Sequence, residues 1–179
     1  MKPFSIKSSR LELIAANPEL LKAASQSDQH LANLLQVDFA EQWNTFGKEI
    51  FSYVLEQLKD KKQYTWLNYF IIHLQDQCLI GTCGYKGAPK ENQQVEIGYE
   101  IAEKYQGKGY ATEAASALIN RAFEFENIGL VKAHTLNQEN ASIRVLTKCS
   151  FEKSGELVDP EDGIIWSWEL PKKRWRKYH

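Results

Sequence analysis

Val95-Glu96-Ile97-Gly98-Tyr99-Glu100-Ile101, a short linker, and then Gln106-Gly107-Lys108-Gly109-Tyr110-Ala111-Thr112 decide the reading of this chain. A β-branched, half-buried strand runs through a turn carrying two glycines and a lysine into the start of a helix. The first N–H groups of a helix have no intrahelical partner, and glycines leave little bulk over them. Such a turn is a site for a phosphate or pyrophosphate. The strand before it can offer backbone groups to the rest of the same ligand.

Two glycine motifs fail on spacing. A dinucleotide fingerprint needs a third glycine three residues after Gly109, where Thr112 stands. A P-loop needs a glycine five residues before the one preceding its lysine, and Gly107-Lys108 has none. What remains is [QR]-x-x-G-x-[GA], met by Gln106, Gly109 and Ala111 directly downstream of Glu96-Ile97-Gly98-Tyr99. This resembles the acyl-CoA-binding motif of the Gcn5-related N-acetyltransferases (GNAT). An ordinary strand–turn–helix connection is the alternative.

The chain has 179 residues, 43% hydrophobic and 25% charged, which suits one well-buried soluble domain. No apolar h-region follows Met1-Lys2-Pro3-Phe4, and no apolar run approaches the ~20 residues of a membrane span. A cytoplasmic protein with neither membrane nor DNA as a partner is expected. Cys78, Cys83 and Cys149 are odd in number and lack CxxC spacing, which suits free buried thiols. The four histidines are scattered, so no metal is expected. The net charge of −1 hides Lys172, Lys173, Arg174, Arg176 and Lys177, which crowd the last residues. A division into a domain over 1–170 and a basic tail over 171–179 follows. That tail reads as a solvated or strand-edge terminus, or as a contact for RNA or the ribosome.

Local patterns supply the rest. Ser9 to Ile14 alternates as a strand, Asn17-Pro18-Glu19 caps a helix, and Asp28 to Leu35 is a second helical piece. Helical spacing of Trp43, Phe46, Ile50, Phe51, Val54 and Leu58 predicts one helix over Glu41 to Lys61. Tyr69–Leu74 and Cys78–Tyr85 read as a hairpin, and Gly87 to Asn92 as a loop. The motif helix extends to about Phe125. A strand over Leu130–Leu136, a short helix from Asn140 or Ser142 to near Cys149, and strands over Phe151–Leu157 and Ile164–Leu170 follow.

The order of elements is similar to that of the GNAT superfamily. Arg10-Leu11-Glu12-Leu13, Gly98-Tyr99 and Ala141-Ser142-Ile143-Arg144-Val145-Leu146-Thr147-Lys148 resemble its RimJ/RimL-like branch. The resemblance implies a single α/β (α+β) domain, with a mixed, mostly antiparallel sheet of about six or seven strands flanked by helices. It implies an acetyl-CoA-dependent N-acetyltransferase acting on a primary amine, either a protein N-terminus or a small molecule, and a possible homodimer. Glu100, Ile101 and Ala102 would bond the pantetheine arm of acetyl-CoA through their backbone. Gln106, Gly107, Lys108, Gly109, Tyr110, Ala111 and Thr112 would hold its pyrophosphate. Asn140 looks like the family's pantetheine-contacting asparagine, although it lies two rather than three residues before Ser142, with Asn137 further upstream. N-capping is its competing role.

Catalysis needs a neutral amine. Glu96 is the candidate base, with Glu96, Gly98 and Glu100 on one strand face and Gly98 opening room for a substrate. Ser142 is the candidate acid for the leaving thiolate, because Leu146 stands where many relatives carry a tyrosine. Cys149-Ser150-Phe151 also lacks the usual glycine. Phe39, Trp43, Phe46, Trp66, Tyr69, Tyr85 and Lys86 are candidates for the acceptor wall, and Trp166 and Trp168 for that wall or a dimer contact. A non-catalytic acyl-CoA-binding module is the competing function.

Overall fold

The computed structural model describes residues 3–89, 91 and 93–178. Lys90 and Asn92 of the expected loop lie outside the described residues. Nine strands and six α-helices run in the order β1 (Ser5–Lys7), β2 (Leu11–Ala15), α1 (Pro18–Gln26), α2 (Asp28–Leu35), β3 (Asp38–Phe39), α3 (Glu49–Gln57), β4 (Asn68–His73), β5 (Cys78–Tyr85), β6 (Gln94–Ile101), α4 (Tyr110–Phe123), β7 (Leu130–Leu136), α5 (Ala141–Lys148), β8 (Glu152–Asp159), β9 (Gly163–Pro171) and α6 (Lys172–Tyr178). The sheet order is β1-β2-β4-β5-β6-β7-β9-β8, with β3 added parallel to β5. All pairs along that path are antiparallel except β6–β7. The expected mixed fold is present, and the strand count is higher because β1 and β3 are too short to show a period in sequence.

Local chemistry explains the boundaries. The Asn17 side chain accepts from Leu20 N and Pro18 opens α1, so the cap read from sequence is the cap in the fold. The helix expected over Glu41 to Lys61 is confined to α3. Gln42 (φ 54°) and Gly47 (φ 78°) are left-handed, and Asn44 bonds the backbone of Phe46 and Gly47. An Asx-type turn therefore takes the backbone groups that a helix would have used. Phe46 is consequently exposed, whereas Trp43 is buried and stacks on Phe51.

Residues 172–178, expected as a tail, form α6. Trp175 is buried and donates to Asn120 Oδ1 of α4 at 2.8 Å. Arg174 donates to Ser150 O and pairs with Glu152, and Lys172 donates to Phe125 O. The charges of this helix are thus partly spent on docking it.

Helices cover both sides of the sheet. Tyr85, in register with Ile97, donates its hydroxyl to Leu118 O, placing α4 over the odd-numbered face of β5 and β6. Phe70, in register with Thr82, meets Trp43 and Phe51, placing α3 over the even-numbered face. All three cysteines are buried and free.

Candidate active site

The site begins where β6 leaves β7. These strands pair only over Gln94↔Leu130, Val95↔Val131 and Glu96↔Lys132. Beyond Glu96, β6 stays with β5 and a wedge opens toward the α4 turn. Lys86 N donates to Glu96 O and Ala102 N to Ile80 O, so even-numbered residues of β6 turn their backbone toward β5. Tyr99 and Ile101 therefore turn theirs into the wedge. Of the three residues expected to offer backbone bonds, Ile101 has the right phase. Glu100 and Ala102 are committed to β5. Gln106 donates its side-chain amide to Ile101 O at 2.8 Å, tying the turn to the strand end.

The turn has the shape an anion needs. Gly107 (φ 72°) and Gly109 (φ 86°) are left-handed, a conformation that L side chains avoid. A Cβ on Gly107 would meet nothing within 4 Å, so this side of the turn is open. Gly109 caps α4 with no side-chain bond to its first amides, which leaves Tyr110, Ala111 and Thr112 N–H at an uncovered helix start. These features fit a pyrophosphate. Lys108 folds back instead, donating to Lys104 O and lying 5.4 Å from the Tyr105 ring centroid.

Arg10, quoted from the sequence only as part of the Arg10-Leu11-Glu12-Leu13 block and not as a site residue, also reaches the turn. Its Nη1 donates to Lys108 O, its Nε pairs with Glu113 at 2.7 Å, and its guanidinium lies 4.4 Å from the Tyr110 ring centroid. The β1–β2 connection thus braces the turn from a hundred residues away in sequence. Bonds from Arg10 and Ser8 outweigh burial and hold Glu113 below the usual carboxylate range.

Asn140 caps α5. Its Oδ1 accepts from Ile143 N at 3.1 Å and its Nδ2 donates to Gln138 O. Ser142, half-buried, accepts the Tyr99 hydroxyl on its backbone oxygen at 3.3 Å. Burial pushes the Tyr99 phenol up, so that hydroxyl keeps its proton. Leu146 is fully buried in the core.

On the other face, Glu96 meets Lys86 and His134, both through Oε1, the latter at 2.8 Å. His134 Nε2 in turn lies 2.9 Å from Ser167 Oγ. Since a carboxylate only accepts, His134 Nδ1 carries the proton toward Glu96. Burial alone would raise the Glu96 pKa, but the Lys86 and His134 bonds and charges outweigh it and leave it lowered. Glu100 is held by Thr45 and Thr82. Gly98 between the two glutamates has open space over it.

A cleft of about 590 Å³ leads to Gly98 and Tyr99 from between α3 and the sheet. Of the expected wall residues, Phe46, Tyr85 and Lys86 line it. Trp43, Trp66 and Tyr69 are buried in the core, and Trp168 is buried with its Nε1 on Thr135. Trp166 packs under Lys153, so neither tryptophan of β9 lines this cleft. A second cavity of about 1040 Å³, bordered by Phe39, Asp76 and Tyr105, lies at the far end of β5. Among the described residues no cluster of acidic, histidine or cysteine side chains could hold a metal ion, and no helix is long and apolar enough to cross a membrane.

Residues 10–152 match the acetyltransferase (GNAT) domain. The chain is 29% identical over 148 residues to the uncharacterized N-acetyltransferase YjdG of Bacillus subtilis (strain 168), covering 82% of this chain and 88% of that protein. It is 39% identical over 83 residues to the uncharacterized N-acetyltransferase p20 of Bacillus licheniformis, a match spanning 46% of this chain and 47% of p20. The structure of RimL, a ribosomal L7/L12 α-N-protein acetyltransferase in complex with coenzyme A, superposes with a TM-score of 0.70 at 18% identity, covering 96% of this chain and 99% of RimL. At that identity the likeness is one of fold.

Proposed function

The chain belongs to the GNAT acetyltransferase family, and from that premise we propose that it moves an acetyl group from acetyl-CoA to a primary amine by direct attack in a ternary complex. The observation that carries this reading is the wedge between β6 and β7, ending in the left-handed pair Gly107 and Gly109 at the uncovered start of α4.

In this reading the amides from Gln106 to Thr112 hold the pyrophosphate, and Tyr99 and Ile101 offer backbone groups to the pantetheine arm. The amine nitrogen bonds the acetyl carbon, the carbon–sulfur bond breaks, and the thiolate leaves with the electron pair. Negative charge gathers on the carbonyl oxygen, where the Tyr99 N–H is aimed into the wedge. The amine's surplus proton goes to Glu96, whose Oε2 has no bond among the described residues. Ser142 Oγ stands beside the Tyr99 hydroxyl at the start of α5 as the donor toward the thiolate.

A lysine-like amine near pKa ~10.4 is neutral in less than about one part in a thousand at pH 7, and an α-amine near ~8 in roughly a tenth. The base is therefore needed more by the first acceptor than by the second. The second reading is a module that binds acyl-CoA without turnover, and it rests on Leu146 being buried where an acid would stand.

The test is thiol release from acetyl-CoA with a panel of amines and N-terminal peptides, beside CoA binding by calorimetry. Turnover with at least one amine is expected. Tight CoA binding without turnover favours the module. For the phosphate site, Gly109→Gln and Gly109→Glu carry the same backbone strain and differ by one charge. The glutamate variant is expected to bind CoA at least about tenfold more weakly, since ~1.4 kcal/mol of repulsion gives that factor. Equal affinities would move the pyrophosphate elsewhere.

A further inference from the structure

We infer that the acceptor is a small monoamine carried on a neutral, aromatic-sized body with a hydrogen-bond acceptor, and that polyamines are rejected; this rests on the acetyltransferase reading above. The cleft that reaches Gly98 and Tyr99 has no carboxylate among its described lining residues, and its charged group is Lys86. The two glutamates of β6 that border it are already engaged. Glu96 is bound by Lys86 and His134, and Glu100 by Thr45 on one oxygen and Thr82 on the other. A second or third ammonium entering here would lose water without meeting a carboxylate in the lining to pair with.

The walls fit the opposite kind of molecule. Phe46 and Tyr53 stand 68% and 61% exposed at the mouth, with Ile50 and Leu67 behind them. Exposed rings beside apolar residues bind a flat apolar body. Deeper in, Asn68 Nδ2 is buried with no hydrogen-bond partner among the described residues, on the sheet face that carries Gly84 and Gly98. A donor left unpaired needs an acceptor atom, and because Asn68 lines the cleft, a turn of its amide toward a ligand carbonyl supplies one. The volume of about 590 Å³ suits a molecule of this size.

The same walls help the chemistry. Desolvation disfavours the charged form of an amine, so a single ammonium entering this cleft sheds its proton more readily than in water. Glu96 is then linked to the cleft through its pair with the lining residue Lys86.

The test compares kcat/KM for acetylation of phenylalaninamide, 2-phenylethylamine, spermidine and a ten-residue N-terminal peptide by the full chain. Phenylalaninamide is expected to exceed spermidine at least about a hundredfold, the scale at which an uncompensated polar group is refused. Phe46→Ala and Tyr53→Ala, both at exposed positions, are expected to raise KM for the aromatic amines about tenfold with kcat little changed. Asn68→Leu is expected to shrink the preference for phenylalaninamide over 2-phenylethylamine. Spermidine or the peptide as the better acceptor, or unchanged KM in both aromatic variants, overturns the inference while leaving the acetyltransferase reading intact. Calorimetric CoA binding with no acetylation of any amine overturns the reading itself, and the inference with it.

Discussion

Glu96 shows how one side chain takes several constraints at once. It sits in the last β6 position paired with β7, bordering both the wedge and the acceptor cleft. Its partners Lys86 and His134 hold it below the usual carboxylate range, so it is ionised well before neutral pH. As a stabilising charge it acts above the ordinary glutamate value of about 4.3 and is lost as pH falls through its lower native value. As the proposed base it is ionised at pH 7 but weak. The rise of kcat/KM between pH 6 and 9 should therefore follow deprotonation of the acceptor amine, not of Glu96. Glu96→Gln is expected to lower kcat/KM by about 10²–10⁴ while leaving the shape of that rise unchanged. Steady-state rates across this range check both halves, and a variant as active as the parent removes Glu96 from proton transfer.

At the level of elements, the short helix α5 carries two signals, one readable in sequence and one not. The cap was one of the two roles the sequence offered Asn140, and both ends of its amide are spent on local backbone. Its proposed second role toward the pantetheine arm can be separated from the first. Asn140→Ala is expected to cost about 1 kcal/mol of stability, while Asn140→Asp keeps the acceptor oxygen and unfolds at nearly the parent's urea midpoint. CoA affinity in the aspartate variant reports the lost Nδ2 donor together with an added charge, so Asn140→Ser, a good cap without that charge, is measured beside it, and a fall in both supports the pantetheine contact. At the other end of α5, Ser150 holds φ 64°, at the position where the resemblance implied glycine, and its N–H reaches Thr147 O. The departure was visible in sequence; that the left-handed turn survives it was not.

The same division runs through the other elements. Long periodic strands and capped helices, such as β5, β7 and α1, could be read because their signals are local. In the helix expected over residues 41–61 the apolar spacing masked a local turn at Asn44 and Gly47, and the bond that holds that turn to the sheet runs from Thr45 to the distant Glu100. Arg10 at the Gly107–Gly109 turn and His134 beside Glu96 escaped because of such distant contacts. Each is brought to the site by strand order, which local periodicity does not encode.

For the molecule as a whole, the wedge requires two parts of the sheet to be held at a fixed angle although β6 and β7 share only a short ladder. Helices do the bracing. Arg10 and Ser8 bind Glu113 at the start of α4, which fastens the first strands to the Gly107–Gly109 turn. At the other end, α6 clamps α4 to the second half of the sheet through Trp175–Asn120, Arg174–Ser150 and Arg174–Glu152. Trp175 is only 5% exposed, and large-to-small changes at buried tryptophans cost about 3–5 kcal/mol. Against a total stability of about 5–15 kcal/mol for a domain, that is a large share. Trp175→Ala is therefore expected to lower the urea midpoint strongly without touching any group proposed for chemistry. A ligand that binds only the folded form at a hundred times its Kd restores about 2.7 kcal/mol. Saturating CoA should therefore recover much of the loss, provided that the wedge keeps its angle and CoA still binds. Urea unfolding of Trp175→Ala with and without CoA measures this directly. Failure of CoA to restore stability, with normal affinity in the parent, would show that α6 sets the geometry of the donor site as well as the strength of the fold.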